Sequence, residues 1–108
     1  MANDISLTIR MPHELNAQLQ SVSKELGMTR TNLLRSAIHD FLTSDETVLN
    51  FKTSPEKKDR FVLNVNQMTN QILETACKKH SQSMNAVVTA VAVLALERAA
   101  TWLQSIEQ

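Results

Sequence analysis

Residues 5–11 alternate strictly between apolar and polar side chains. A period of two predicts a short β-strand with one buried face and one outward face. Because a lone strand cannot satisfy its ladder hydrogen bonds, a second strand has to pair with it. The outward side chains of the predicted strand are Ser6, Thr8 and Arg10.

Two amphipathic helices are predicted after this strand. Pro12 suits the start of the first helix, in which apolar residues recur at steps of three and four residues. Gly27 is expected to end that helix, and Thr29 is expected to cap a second one that runs to Leu42. The first half of the chain therefore has the order strand, helix, helix.

The same order of patterns returns in the second half. Residues 43–59 are polar and contain Pro55, which indicates a linker. Residues 60–66 then alternate as the first strand does, and two more helical patterns follow. Ser83 is expected to cap the last of them, which runs to about Leu103. Few residues are identical between the halves, so the repeat is one of pattern.

Two alignments of the halves are compatible with this repeat. A shift of 54 residues needs no gap and places Asn64 against Arg10, whereas a shift of 56 places Asn66 there. Both shifts are even, so both leave the same face of the second strand outward. The outward side chains of that strand are Arg60, Val62 and Asn64, with Asn66 under the second alignment.

These patterns predict a mainly α-helical protein with a short two-stranded antiparallel ribbon, built from two β-α-α units in one chain. The first unit is expected over residues 1–42, a linker over 43–59, and the second unit, with an extended C-terminal helix, over 60–108. The two unlike strands could pair within one chain as a pseudo-dimer. The alternative is a homodimer in which like strands pair.

Composition narrows the class of protein. The chain has 108 residues, 43% of them hydrophobic and one of them glycine, which indicates a helix-rich globular protein without a Gly-rich nucleotide site. The formal net charge of zero weakens indiscriminate polyanion binding but leaves local patches open. Cys77 is alone, so a reducing, cytoplasmic setting is expected. The apolar run Ala86–Leu96 is expected to be too short to span a bilayer.

Enzyme and metal chemistry are not indicated by any motif. The sequence has no nucleophile elbow, metalloprotease motif or convincing carboxylate pair. The histidines His13, His39 and His80 have no metal-ligand spacing with Cys77 or with one another. We therefore expect no enzymatic activity, no cofactor and no bound metal.

Two stretches of the first half carry a resemblance to a known family. They are Leu-Thr-Ile-Arg-Met-Pro at 7–12 and Gly-Met-Thr-Arg-Thr-Asn-Leu-Leu-Arg-Ser-Ala at 27–37. With the order of elements, they resemble the ribbon-helix-helix family of Arc and MetJ-type repressors. The second half departs from the pattern, because it has no proline after the strand and has Ser81 where the glycine would be. Two such units in one chain resemble the TraY-like relaxosome proteins of conjugative plasmids.

The resemblance implies that the paired strands enter the major groove of double-stranded DNA while the start of each second helix meets a phosphate. Arginine can donate two hydrogen bonds to guanine, asparagine can pair with adenine, and threonine or valine methyls can touch thymine. A capped helix start presents free N–H groups to a phosphate. The implied base contacts are Ser6, Thr8, Arg10, Arg60, Val62, Asn64 and Asn66, and the implied phosphate contacts are Thr29, Arg30, Thr31, Ser83 and Asn85.

Two functions from different classes fit the sequence. The first is a sequence-specific DNA-binding protein, either a transcriptional repressor or an accessory factor at a plasmid transfer origin. The second is a protein-binding module, such as an antitoxin or inhibitor, that covers a partner protein with its second half and C-terminal helix. The neutral charge favours the second function and the two β-α-α patterns favour the first. The apolar C-terminal helix is expected in the core, or in a contact with a further copy or a partner protein, anchored by Trp102.

Overall fold

A computed structural model describes residues 4–44, 46–51 and 57–107. The centre of the predicted linker, with Pro55, lies outside the described residues, as do the first three residues and Gln108. The expected class, mainly helical with a two-stranded antiparallel sheet, is confirmed. The elements in chain order are β1 (Ile5–Pro12), α1 (His13–Leu26), α2 (Arg30–Leu42), β2 (Lys58–Val65), α3 (Gln67–His80) and α4 (Met84–Glu107).

One strand from each half of the chain forms the sheet. A single strand precedes each helix pair, so neither half holds a two-stranded sheet of its own. β1 and β2 run antiparallel, and the middle pair is Thr8 opposite Val62. The ladder hydrogen bonds that β1 needs are therefore supplied from within the same chain.

β2 begins earlier than the alternation of the sequence indicates. Lys58 and Asp59, expected in the linker, extend the strand opposite Pro12 and Met11. Asp59 places a carboxylate on the side of β2 that otherwise carries apolar residues. The expectation that the strand starts at Arg60 is therefore wrong, since it starts at Lys58.

The helices of the two halves start at matching positions. α1 and α3 begin 54 residues apart (13 and 67), and so do α2 and α4 (30 and 84). Each first helix ends on a residue with left-handed backbone, Gly27 at φ 70° and Ser81 at φ 53°. This conformation closes a helix most easily on glycine, and serine adopts it here at some cost. A shift of 54 thus relates the helices of the two halves, and the shift of 56 does not.

A hydrophobic core lies between the inner face of the sheet and the helices of both halves. β1 contributes Ile9 and Met11, and β2 contributes Phe61, Leu63 and Val65. Because both halves supply side chains to this one cluster, each half removes the apolar surface of the other from water. The buried helical members are Leu19, Leu33, Leu34, Ala37, Ile38, Leu73, Ala76, Val87, Val88, Val91, Ala92 and Ala95.

α4 occupies the centre of this core. It packs against α1, α2, α3 and β1, and its residues Val87, Val88 and Val91 are fully buried. The expectation that its apolar run belongs to the core is confirmed. On its outer side, Val93 and Trp102 are 43% and 41% exposed.

α4 is also long and apolar enough, over Met84–Ser105, to cross a bilayer by length and composition. The expectation that its apolar run is too short is therefore wrong, because the helix continues past Leu96 to Glu107. Among the described helices it is the one that meets this criterion, which core helices of soluble proteins also pass. Here its buried side chains contact the other elements of the fold.

Substitutions at Leu63 and Val62, which are adjacent in β2 and lie on opposite faces, test the strand register. We expect Leu63→Ala to lower the free energy of unfolding by about 2–5 kcal/mol, because a fully buried leucine leaves a cavity. We expect Val62→Ala, on the outer face, to change it by less than about 0.5 kcal/mol. Urea denaturation of both variants measures the difference. Similar losses in both would contradict the register, since a slip by one residue exchanges the two faces.

Candidate nucleic-acid interface

The outer face of the sheet gathers the predicted base contacts of both strands. At one end Arg10 lies opposite Arg60, and at the other end Ser6 lies opposite Asn64. All six side chains of this surface are exposed. We call the surface the ribbon face, and its residues are Ser6, Thr8, Arg10, Arg60, Val62 and Asn64.

Charge on the ribbon face is of one sign. The exposed Lys58 precedes Arg60 on the same side of β2, and no carboxylate lies on this side of either strand. The exposed Asp4 precedes β1 at the opposite end. Val62, in the middle, is 51% exposed. The surface therefore offers cations, hydrogen-bond donors and methyl groups together.

Helices α2 and α4 each begin beside the strand of the other half. The backbone N–H of Arg10 donates to Asn85 Oδ1 at 3.1 Å, which ties the start of α4 to β1. The guanidinium of Arg30, the first residue of α2, lies 4.1 Å over the ring of Phe61 on β2. Neither helix has an acidic residue in its first turn. The N-terminal end of each helix carries a partial positive charge, and no acidic side chain in the first turn neutralises it. One such helix end lies beside each strand.

Threonine and serine cap these two helix starts. Thr29 Oγ1 accepts the N–H of Asn32 at 3.0 Å, and Ser83 Oγ accepts the N–H of Ala86 at 3.1 Å. The predicted capping roles are confirmed, and both residues are exposed. A cap uses one of the four unpaired N–H groups of a first turn, which leaves others for an anion.

Two predicted contact residues have other partners in the fold. Arg30 Nη1 donates to Asn16 Oδ1 at 2.6 Å, and burial lowers the pKa of this arginine. Asn66 lies beyond the end of β2, and its Oδ1 accepts the N–H of Thr69 at 2.8 Å as the cap of α3. Both side chains are thus engaged within the fold, and the assignments of Arg30 to phosphate and Asn66 to bases stay predictions.

The two remaining predicted phosphate contacts, Thr31 and Asn85, are less free to bind a ligand than the capping residues Thr29 and Ser83. Thr31 is half-buried in the first turn of α2. Asn85 is exposed, but its carbonyl oxygen is bound to the backbone of Arg10. Asn85 is therefore placed to hold α4 against β1, with its amide nitrogen still able to donate.

A chain of hydrogen bonds that the sequence analysis missed links β2, α1 and α2. Asn16 Nδ2 donates to Asp59 Oδ2 at 2.9 Å, and His13 Nδ1 lies 2.9 Å from the same oxygen. Asn16 Oδ1 accepts from Arg30 at the other end of the chain. The hydrogen bond from Asn16, and after it that from His13, lower the pKa of Asp59. A sequence signal was present, since Asn16 lies three residues before the buried Leu19 on the same face of α1.

This chain of hydrogen bonds sets the position of α2 relative to the ribbon face. It holds the Asp59 carboxylate on the inner side of β2, away from the outward arginines. It also fixes the first residue of α2, Arg30, beside β2. The capped start of α2 is thus held at a defined place along the edge of the ribbon.

Comparisons with models of protein families, with curated proteins and with solved structures found no match to this chain. The resemblance of the first half to ribbon-helix-helix proteins therefore stays a prediction. What bears on function is the geometry of the ribbon face and of the two helix starts beside it.

Acid is expected to destabilise the wild-type protein more than the Asp59→Asn variant. The pKa of Asp59 lies below its ordinary value of 3.8 in the folded state, so the unfolded chain takes up the proton first. Its stabilising effect is therefore present above that ordinary value and is lost as the pH falls through the folded-state pKa. Urea denaturation from about pH 7 to about pH 3 gives the slope of the free energy of unfolding against pH for both proteins. Equal slopes would exclude this role for Asp59.

Proposed function

We propose that this protein binds double-stranded DNA sequence-specifically by inserting its β-ribbon into the major groove. The observation that carries the proposal is the ribbon face, six exposed side chains on two paired strands without a carboxylate among them. A two-stranded ribbon fits the width of the major groove, where base edges are distinguishable. The helix starts beside the two strands supply N–H groups where the DNA backbones would pass.

We propose further that the chain is a tandem pair of ribbon-helix-helix units that acts as a pseudo-dimer. The order strand, helix, helix occurs twice, and the helix starts match at 54 residues. The start of each second helix lies beside the strand of the other half, so both halves are needed to build one binding surface. A cytoplasmic repressor and an accessory factor at a transfer origin would use this surface in the same way.

The proposed contacts divide into those that position and those that specify. Phosphate contacts at Thr29 and Ser83 would fix the protein on the duplex without reading its sequence. Arg10 and Arg60 would each donate to guanine, and a bidentate pair is worth about 1–3 kcal/mol of discrimination. Since the chain has no net charge, non-specific binding would be weak.

A groove favours the protein-binding alternative as a second function. It lies between β1, α1, α4 and the segment before β2, has a volume of about 690 Å³, and is lined in part by Leu15, Phe51, Val93 and Leu94. An antitoxin or inhibitor could receive an apolar segment of its target there. DNA binding is preferred because the alternative gives no account of the cations on the ribbon face.

Arg10→Ala tests the DNA-binding proposal. We expect it to weaken binding to the preferred sequence by about 1–3 kcal/mol, roughly 5- to 150-fold, while binding to unrelated duplex changes little. Fluorescence anisotropy with both duplexes measures this. Lys79→Ala, which removes an exposed cation on the side of α3 that faces α2, is the matched control and should bind as the wild type does. Failure of the wild type to enrich any duplex from a random pool at moderate salt would refute the proposal.

A further inference from the structure

We propose that the ribbon face is directional, with both arginines over one half of the DNA site and the Ser6–Asn64 pair over the other. The protein would then bind a non-palindromic site in one orientation, with guanines under the arginines and adenine under the amide. This inference rests on the proposed DNA-binding function and adds the chemical character of each half of the site.

The direction follows from the strand register. Thr8 and Val62 occupy equivalent positions at the shift of 54, and they lie opposite each other, so the pseudo-twofold axis passes between them. If two copies of β1 paired symmetrically about Thr8, Arg10 of each strand would lie opposite Ser6 of the other, with one arginine at each end of the ribbon. Here the equivalent of Ser6 is Arg60, and this arginine lies opposite Arg10. Both arginines therefore lie on the same side of the axis.

The arginine end is suited to a partner that only accepts hydrogen bonds. Like charges directly opposite on neighbouring strands destabilise a ribbon, and Arg10 and Arg60 are such a pair. Lys58 precedes Arg60 on the same face, and the nearest carboxylate of β2, Asp59, is bound on the inner side. Guanine offers two acceptors, O6 and N7, in the major groove and could offset this repulsion at both arginines.

The opposite end of the ribbon face carries no cation. Ser6 Oγ donates to Asn64 Oδ1 at 2.9 Å, which orients the amide of Asn64. The amide nitrogen stays available to donate, and the oxygen keeps a second lone pair, which is the pattern that meets N7 and N6 of adenine. The exposed Asp4 just before β1 increases the difference in charge between the two ends.

One orientation on the DNA is then strongly preferred. Turning the protein around would place both arginines over the adenine half and the amide over the guanine half. Each lost bidentate contact costs roughly tenfold in affinity, so the loss of the two arginine–guanine contacts alone would make the reversed complex roughly 100-fold weaker.

Selection from a random-sequence pool tests the direction of the ribbon with four proteins. These are the wild type, Arg10→Ala, Arg60→Ala, and the double variant Ser6→Arg with Arg60→Ser, which keeps the net charge and moves one arginine to the other end. We expect guanines in one half of the wild-type motif and loss of guanines from that same half in both single variants. The double variant should gain a guanine in the other half. Thermal unfolding checks that each variant is folded.

The outcomes separate this inference from the proposed function. A palindromic wild-type motif, or losses in opposite halves for Arg10→Ala and Arg60→Ala, would overturn the directional ribbon while leaving DNA binding intact. If the wild type enriches no sequence, the proposed function fails and the inference fails with it. If the double variant does not fold, the two single variants still decide.

Discussion

The pairing of β1 with β2 is the interaction on which the rest of the structure depends. Neither strand has another partner among the described residues, so each half of the chain requires the other for its backbone hydrogen bonds. Once the strands are paired, Leu63 and its inner neighbours close over helices from both halves. The same pairing turns the polar side chains of both strands to one outer surface. Stability and the candidate binding surface thus come from a single contact between the halves.

Polar contacts at the edges of the sheet convert that pairing into a fixed geometry. Asn85 joins α4 to β1, and Asn16 joins α2 to β2 through Arg30 and Asp59. Asn16 is 7% exposed, and a buried amide that lost either partner would leave a desolvated polar group. The cost of breaking these contacts keeps the two helix starts beside the strands. Interactions that stabilise the fold therefore also position the groups that would meet phosphate.

Local features were predictable from the sequence, and features that depend on distant partners were not. The outward positions of β1, the caps Thr29 and Ser83, and the helix order follow from periodicity and short-range hydrogen bonding. The early start of β2 was hidden because Asp59 interrupts the alternation, and its partners lie more than forty residues away. The contacts of Arg30 with Phe61 and Asn16 were not predictable because both partners are distant in sequence. That Arg10 lies opposite Arg60 could not be predicted, because it depends on the strand register, and the shifts of 54 and 56 residues were both compatible with the sequence.

A neutral chain can still present a cationic surface, because its charges are not distributed evenly. Asp59 is held on the inner side of β2 by hydrogen bonds, and Asp40 is paired with Arg98 where α2 and α4 meet at their C-terminal parts. Arg98 also lies over the rings of Phe41 and Trp102, so its charge is used within the fold. The arginines of the ribbon face lack such acidic partners among the described residues. The net charge of the chain is therefore a poor guide to binding, since a ligand on the ribbon face lies within a Debye length of the local cations.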